Sequence, residues 1–221
     1  MAGLDRNAAA LGEVIDGLRS LGATAFGVTA DVAVYQEVED GIGHACSELG
    51  GLDATVNVAG IGGYTGDVAA TSLSEWSATL AVNLTGVFHV CRAVIPQLRA
   101  GGGGSIVNVS SQYGLVGCLG SPAYCASKAG VIGLTRCLAL DHADDGIRVN
   151  CVCPGPIETP LLRASEAQAD AAERENSRTR GRLLAGRPGT PADVAEAIDY
   201  MLGAAFMNGT VLSLDGGWTA G

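Results

Sequence analysis

Apolar and polar residues alternate along the chain with two periodicities, one typical of helices and one typical of short strands. In the first helical segment Leu11, Ile15 and Leu18 fall on one face. Short apolar runs bounded by glycine or polar residues predict strands. The predicted helices cover residues 6–21, 33–49, 72–99, 122–143 and 191–202, and the predicted strands cover residues 23–30, 53–59, 104–110, 147–153 and 210–214.

This alternation of strands with helices predicts an α/β fold. Parallel strands need long crossover connections, and here each gap between strands holds a helix. We therefore expect a Rossmann-like, doubly wound parallel sheet with helices on both faces, in three α/β/α layers. The chain contains neither repeats nor a linker, which predicts a single domain over residues 1–221.

Charge narrows the possible partners. The formal net charge is -10, which disfavours binding to nucleic acid or to an anionic membrane surface. Glycines and Pro122 interrupt the long uncharged window at residues 100–127, so no membrane-spanning helix is expected there. The first twenty residues carry several charges and do not form a secretory signal. We expect a cytoplasmic protein with seven reduced cysteines and no metal site.

The only lysine, Lys128, lies four residues after Tyr124 in a predicted helix. Side chains at this spacing share one helix face, and a lysine ammonium near a phenol lowers the phenol pKa. A tyrosine tuned in this way can act as general acid or base on an alcohol or ketone. Ser111 lies 13 residues before Tyr124, just past a predicted strand, where open α/β sheets bind ligands.

The polar segments at the strand ends occur as a set of motifs spread over nearly the whole chain. They are Asn57-Val58-Ala59-Gly60, Val82-Asn83-Leu84, Ile106-Val107-Asn108-Val109-Ser110-Ser111, Tyr124-Cys125-Ala126-Ser127-Lys128, Ile147-Arg148-Val149-Asn150, Pro154-Gly155-Pro156-Ile157-Glu158-Thr159 and Leu214-Asp215-Gly216-Gly217. In order and spacing the chain resembles the short-chain dehydrogenase/reductase family, with Val58 in place of an asparagine. The resemblance implies hydride transfer between NAD(P) and a secondary alcohol or ketone.

The resemblance also implies roles for individual residues. Tyr124 would exchange a proton with the substrate oxygen, Lys128 would lower the Tyr124 pKa and bind the nicotinamide ribose, and Ser111 would hydrogen-bond the substrate oxygen. Asn83 would hold a water in a proton relay through Lys128. The implied cofactor contacts are Asp31, Val32, Asn57, Ala59, Gly60, Tyr124, Lys128, Pro154, Gly155, Ile157 and Thr159. Taken singly, Asn57 and Asn83 could instead be capping or sheet-edge residues, and Ser111 a turn residue.

The chain departs from the family at its beginning. The family's glycine-rich motif, whose backbone binds the pyrophosphate, is not found, and residues 1–5 resemble the end of the family's second strand. We therefore expect the fold to lack the first β-α unit and to expose unpaired strand edges. The alternative function is a truncated, inactive member that serves as a scaffold or interaction protein. At the tip of the first strand, the resemblance implies that an acidic residue selects NAD and a basic residue selects NADP. Gly3 stands at the position where the acidic residue is most expected, while Asp5 favours NAD and Arg6 favours NADP. NAD is weakly favoured.

Three further expectations concern the surroundings of the site. A mainly apolar pocket would be formed by Tyr113, Leu115, Val116, Cys118, Leu119, Leu161 and Leu162. The family resemblance implies a homo-oligomer, a dimer or tetramer, built on the two long helices, and the apolar run Val131, Ile132, Leu134, Leu138 is compatible with such an interface. Residues 163–187 are rich in Arg and Glu and form either a solvated helix face or a mobile lid.

Overall fold

Strands and helices alternate in the part of the chain that the computed structural model describes, which is residues 1–62, 65–168 and 184–220. The strands are β1 (Ala2–Asp5), β2 (Phe26–Thr29), β3 (Ala54–Asn57), β4 (Gly104–Val109), β5 (Ile147–Pro154) and β6 (Val211–Leu214). The helices are α1 (Ala8–Ser20), α2 (Tyr35–Leu49), α3 (Leu73–Leu80), α4 (Gly86–Ala100), α5 (Pro122–Asp141), α6 (Pro160–Gln168) and α7 (Pro191–Gly203).

The predicted helix over residues 72–99 begins as expected but is not uniform. Ser72 caps α3, because its hydroxyl accepts a hydrogen bond from the Glu75 amide at 3.2 Å while the Glu75 carboxylate accepts from the Ser72 amide at 2.9 Å. Between α3 and α4 lies a π-helical turn, Ala81–Thr85, which periodicity did not predict. Such turns are often found at functional sites, and this one carries Asn83.

The parallel strands form two separate sheets. One has the order β3-β4-β5-β6 and the other consists of β1 and β2. Ala2 pairs with Phe26 in the smaller sheet, and Ala54 pairs with Ser105 in the larger. Between β1 and β3 runs a groove of about 890 Å³. The Rossmann-like parallel architecture is confirmed, and among the described residues one edge of β1 and one edge of β3 carry no ladder partner.

Helices cover both faces of these sheets. On the small sheet, Leu11 of α1 lies against Gly3 on one face, and Leu4 lies against Gly41 of α2 on the other. On the large sheet, α4 and α5 supply the main apolar core, while Met201 of α7 packs on the opposite face. The three layers hold the carboxyl ends of β3, β4 and β5 at one edge of the molecule.

One long helical run has the length and composition of a membrane span. Leu73–Ala100 contains 28 residues with a mean hydropathy of 1.5 in its most apolar window. Within it Val90, Val94 and Leu98 of α4 are buried against the sheet. This is the position of a core helix in an α/β layer.

The apolar run on α5 belongs to the core. Val131 and Ile132 are buried in the main cluster, and Leu134 and Leu138 pack against it. The run thus covers β4 and β5 in the core of the chain, and a homo-oligomer built on the two long helices stays a prediction. Within residues 163–187, α6 covers the beginning, while residues 169–183 lie outside the described part of the chain, so neither the lid nor the solvated face can be assigned.

Candidate active site

Ser111 lies two residues after Val109, the last residue of β4. Its side chain accepts a hydrogen bond from the Tyr113 amide at 3.2 Å and so caps the 3₁₀ turn Gln112–Gly114. The Ser111 hydroxyl also hydrogen-bonds the Tyr124 hydroxyl. Ser111 therefore serves as a turn residue and as a partner of the predicted catalytic tyrosine, and the two interpretations made from sequence are compatible.

Tyr124 and Lys128 lie one turn apart near the start of α5. Pro122 occupies the first turn, where a missing amide hydrogen costs nothing, and this fixes where the helix begins. Lys128 Nζ lies 5.8 Å from the centroid of the Tyr124 ring and donates a hydrogen bond to the Val109 carbonyl at 3.0 Å. The spacing that suggested a shared helix face thus brings the ammonium and the phenol to the end of β4.

Burial dominates the electrostatics of this pair. It lowers the pKa of Lys128 to about 8, partly offset by Cys151 and Cys153. Burial also raises the pKa of Tyr124, and the hydrogen bond from Ser111 offsets this effect only in part. The expectation that Lys128 holds the Tyr124 pKa below its usual value is therefore wrong for this structure. Removing the phenolate from water raises the Tyr124 pKa by more than the neighbouring polar groups lower it.

Asn83 is fully buried near Tyr124 and Lys128, and its side chain makes three hydrogen bonds. Its Oδ1 accepts from the Ile61 amide at 2.8 Å, and its Nδ2 donates to the Ile61 carbonyl at 2.8 Å and to Ser127 Oγ at 3.1 Å. These bonds tie the loop after β3 to α5. The amide group of Asn83 thus positions backbone and helix, and its role in a proton relay stays a prediction.

Replacing Asn83 with Ala should lower the free energy of unfolding by about 1–3 kcal/mol, because it leaves buried partners on Ile61 and Ser127 unsatisfied. Chemical denaturation measures this loss. The control is Asn7→Ala, which removes one exposed helix cap and should cost about 1 kcal/mol or less. Equal losses in the two variants would contradict the positioning role of Asn83.

The three residues predicted on the β3 tip separate into two groups. Asn57 Nδ2 donates to Asn108 Oδ1 at 2.8 Å inside the sheet, so the Asn57 side chain belongs to a buried polar network, and its contact with a cofactor stays a prediction. Ala59 and Gly60 are exposed. A Cβ at Gly60 would lie 3.4 Å from Lys128 Nζ, so the missing side chain keeps the space beside the ammonium open.

Asp31 and Val32 follow β2 and border the same edge. The Asp31 carboxylate accepts from the Ala33 amide at 2.9 Å and lies 3.9 Å from the Arg6 guanidinium. The Val32 carbonyl lies 2.9 Å from His89 Nδ1 on α4. Both residues are only partly buried, and their expected contact with adenine stays a prediction.

The tip of β5 closes the other side of the site. Pro154 is buried, and the Gly155 amide donates to the Leu214 carbonyl at 3.0 Å. Ile157 pairs with Gly189 in an isolated bridge. Thr159 precedes α6, and its hydroxyl accepts from the Leu162 amide at 3.3 Å. These contacts hold the segment from Pro154 to Thr159 at the edge formed by the carboxyl ends of the strands. Its contacts with the nicotinamide stay a prediction.

Tyr113, one of the residues predicted to form the substrate pocket, packs against a second aromatic ring. Tyr113 meets Trp218 edge to face with 5.6 Å between ring centroids and an interplanar angle of 89°. The Asp215 side chain accepts from the Gly217 and Thr219 amides and so fixes the loop that carries Trp218. Sequence reasoning missed Trp218, although it directly follows the quoted Leu214–Gly217 motif.

The rest of the predicted pocket is a partly exposed apolar rim. Cys118 and Leu162 are half-buried, whereas other members of the set have more accessible side chains. Those more exposed members are Leu115, Val116, Leu119 and Leu161. Sequence reasoning also missed Ile61 and Ser127 as partners of Asn83, and the only available signal was the position of Ser127 inside the Tyr124–Lys128 motif.

Comparisons with known proteins agree with this geometry. A family model described as enoyl-(acyl carrier protein) reductase matches residues 1–219. An inactive 2-(S)-hydroxypropyl-CoM dehydrogenase 2 from Xanthobacter autotrophicus is 40% identical over 202 residues, which are 90% of this chain and 87% of that protein. A cyclohexanol dehydrogenase from an Acinetobacter species is 36% identical over 98% of this chain and 83% of that protein.

Among solved structures, a gluconate 5-dehydrogenase from Burkholderia cenocepacia, crystallised with NADP and tartrate, superposes with a TM-score of 0.91. It is 32% identical, and the match covers all of this chain and 85% of that one. This superposition shows that the two chains share the layered fold described above. With a family match over almost every residue, the chain belongs to the short-chain dehydrogenase/reductase family of oxidoreductases.

Proposed function

We propose that the chain transfers a hydride between NAD(P) and a secondary alcohol or ketone, with Tyr124 as the general acid or base. The observation that carries this proposal is the convergence of three groups at the end of β4. Ser111 hydrogen-bonds Tyr124, and Lys128 Nζ lies 5.8 Å from the Tyr124 ring. A nucleophile or metal is not required for such chemistry, which needs one proton donor and one oxygen-binding group.

In the oxidation direction the substrate O–H bond breaks and its proton passes to the Tyr124 oxygen, while the carbinol carbon loses a hydride. Ser111 donates a hydrogen bond to the substrate oxygen as negative charge develops on it. The Lys128 ammonium stabilises the Tyr124 phenolate that accepts the proton. When bound, the nicotinamide ring accepts the hydride.

The residues present fit the nicotinamide half of such a cofactor. Gly60 leaves space beside Lys128 Nζ, where a Cβ would approach within 3.4 Å. Lys128 and Tyr124 would hold the ribose, and the segment from Pro154 to Thr159 would border the nicotinamide. We propose NAD over NADP, because Asp5 is an acidic residue at the β1 tip and Arg6 is drawn toward Asp31.

An apolar secondary alcohol or ketone suits the pocket wall best, since Tyr113 and Trp218 present ring edges and faces there. Trp218→Ala should raise KM for a cyclic alcohol about three- to tenfold with little change in kcat, because an aromatic pair contributes about 0.5–1.5 kcal/mol. Steady-state kinetics measure the effects on KM and on kcat separately. Trp218→Phe is the control that keeps a ring, and a loss confined to kcat would contradict a pocket role.

The function is tested by following reduced-cofactor absorbance with a panel of secondary alcohols and ketones, using NAD and NADP separately. Turnover by the full chain, with a preference for apolar substrates and for NAD, is the expected result. Failure of every substrate and both cofactors would overturn the proposal.

A second candidate is a catalytically inactive scaffold, and the observation that favours it is the 40% identity to a dehydrogenase that is described as inactive. Isothermal calorimetry with NAD and NADP separates the two candidates. Micromolar binding supports the enzyme, and no measurable binding together with no turnover supports the scaffold.

The proposed partners of the chain are a small-molecule alcohol or ketone and further copies of the chain, which would form a homo-oligomer through the first of the two long helices. Trp76 and Phe88, on α3 and α4, are 39% and 45% exposed. Light scattering of the full chain tests this point, and a monomer mass at micromolar concentration would contradict it.

A further inference from the structure

Two of the seven cysteines lie close together at the apolar rim of the site. Cys118 precedes α5, and Cys125 lies near the start of that helix, directly after Tyr124. The Cys118 amide donates a hydrogen bond to the Cys125 thiol. Because the Cys118 sulfur belongs to the same residue as that amide, rotation about the Cα–Cβ bond of Cys118 carries it toward the Cys125 sulfur. The two thiols are therefore neighbours in space.

The turn between the two cysteines is held in place by the fold. Gly120 adopts a φ of 66°, a left-handed conformation that favours glycine, and reverses the chain before α5. The Cys125 amide donates to the Ser121 carbonyl at 3.0 Å, and the Thr65 amide donates to the Gly120 carbonyl at 2.9 Å. These backbone bonds fasten the turn to the helix on one side and to the loop after β3 on the other. The closeness of the thiols is therefore fixed by backbone contacts.

Both thiols are connected to the aromatic residues of the site. The Tyr113 hydroxyl hydrogen-bonds the Cys118 sulfur, and the Tyr113 ring packs against Trp218. Cys125 is the neighbour of Tyr124 on α5. Moving the Cys118 sulfur onto the Cys125 sulfur would take it away from the Tyr113 hydroxyl and would tie the rim to the helix that carries Tyr124. A bond between the two sulfurs would thus alter the surroundings of the site.

A small oxidant can reach this pair. Cys118 and Cys125 are half-buried, and Leu119 beside Cys118 is 69% exposed. By contrast, the two cysteines of β5 are completely buried. Cys137 is exposed but lies about 18 Å farther along α5, since a helix rises about 1.5 Å per residue. The pair at the rim therefore combines proximity with access.

The chemistry that joins two thiols needs an oxidant, and a peroxide supplies it. One sulfur attacks the peroxide as a thiolate, an S–O bond forms, the O–O bond breaks, and a water leaves a sulfenic acid behind. The second sulfur then attacks the first, the S–S bond forms, the S–O bond breaks, and a second water leaves. Two thiols are oxidised and one hydrogen peroxide is reduced. Burial raises the pKa of the Cys125 thiol, and the Cys118 amide offsets only part of this effect, so the reaction should be slow near neutral pH.

We infer that Cys118 and Cys125 form an oxidation site, at which a peroxide links the two sulfurs in a disulfide beside Tyr124. The disulfide fastens the apolar rim to the start of α5. A dithiol reverses it by exchange, which regenerates both thiols. In a reducing compartment such a bond is transient, so the pair responds to oxidants and is not a permanent cross-link.

The test treats the full folded chain with millimolar hydrogen peroxide, alkylates it in denaturant and digests it with trypsin. Cleavage after Arg99 and Lys128 releases residues 100–128, which contain both cysteines of the pair and no other cysteine. Mass spectrometry should find this peptide lighter by two hydrogens and without an alkyl group on either sulfur. Dithiothreitol added before alkylation should restore both alkyl groups. The other five of the seven cysteines should be alkylated with or without peroxide.

Three variants serve as controls. Cys118→Ser and Cys125→Ser should each abolish the cross-link, whereas Cys137→Ser removes an exposed thiol outside the pair and should leave the cross-link yield unchanged. A peptide that stays fully alkylated after peroxide, a sulfinic acid on either residue without a cross-link, or a disulfide from this peptide to Cys137 would overturn the inference. So would an equal yield of the cross-link when the chain is oxidised in denaturant. None of these readouts depends on catalysis.

Discussion

Tyr124→Phe is expected to lower kcat by roughly 10²–10⁴, which is the usual contribution of a positioned general acid or base. The substitution removes one hydroxyl and keeps the ring that contacts Gly62 and faces Lys128. Because the ring and Lys128 remain in place, the affinity for the nicotinamide cofactor should fall much less than kcat. Single-turnover kinetics and cofactor calorimetry on the same variant separate the two effects.

Tyr113→Phe is the matched control for this prediction. Tyr113 lies in the same pocket, and its phenol is also buried, which raises its pKa. Losing that hydroxyl should lower kcat much less than losing the one on Tyr124, since the Tyr124 hydroxyl hydrogen-bonds Ser111 and its ring faces Lys128, whereas Tyr113 contacts Ser111 through its backbone amide. If the two variants lost activity equally, the proton transfer could not be assigned to Tyr124.

Lys128→Met is expected to lower kcat by about two orders of magnitude and to change how stability depends on pH. The pKa of Lys128 is about 8 in the folded chain, and an unfolded lysine has a pKa of about 10.4. Between these values the unfolded state binds more protons, so the wild-type free energy of unfolding rises with pH. The rise should reach about 3 kcal/mol and should be missing in the variant.

The measurement is chemical denaturation of wild type and Lys128→Met at about pH 7 and about pH 10. Subtracting the free energy of unfolding of the variant from that of wild type leaves the contribution of Lys128, because the buried tyrosines and cysteines titrate in both proteins. Methionine fills a similar volume without a charge, so near neutral pH the variant should be as stable as wild type or more stable. An unchanged difference across this pH range would contradict the burial of a charged ammonium.

Much of the fold was predictable because its signals are local. Helical spacing located α1 to within two residues, and the Ser72–Glu75 pair located the start of α3. The positions of the strand ends were predicted less accurately. The strand predicted over residues 23–30 pairs with β1 only over Phe26–Thr29. Pairing to a neighbour decides where a strand ends, and that neighbour is distant in sequence.

The site was predictable to the same extent. The Tyr124–Lys128 spacing and the position of Ser111 after β4 placed three groups together, because helix and strand geometry fix those relations. The direction of the Tyr124 pKa was not predictable, since it depends on how much water the fold excludes. The positions of Trp218 and Ile61 were missed because tertiary packing brings them in from loops.

We propose that the chain moves a hydride from a carbinol carbon while Tyr124 takes the proton. The most direct measurement uses a secondary alcohol deuterated at that carbon and mass spectrometry of the recovered cofactor, for wild type and Tyr124→Phe. The prediction is deuterium in the reduced cofactor from wild type, formed at a rate lowered by roughly 10²–10⁴ in the variant. Reduced cofactor without deuterium, or an undiminished rate in Tyr124→Phe, would contradict it.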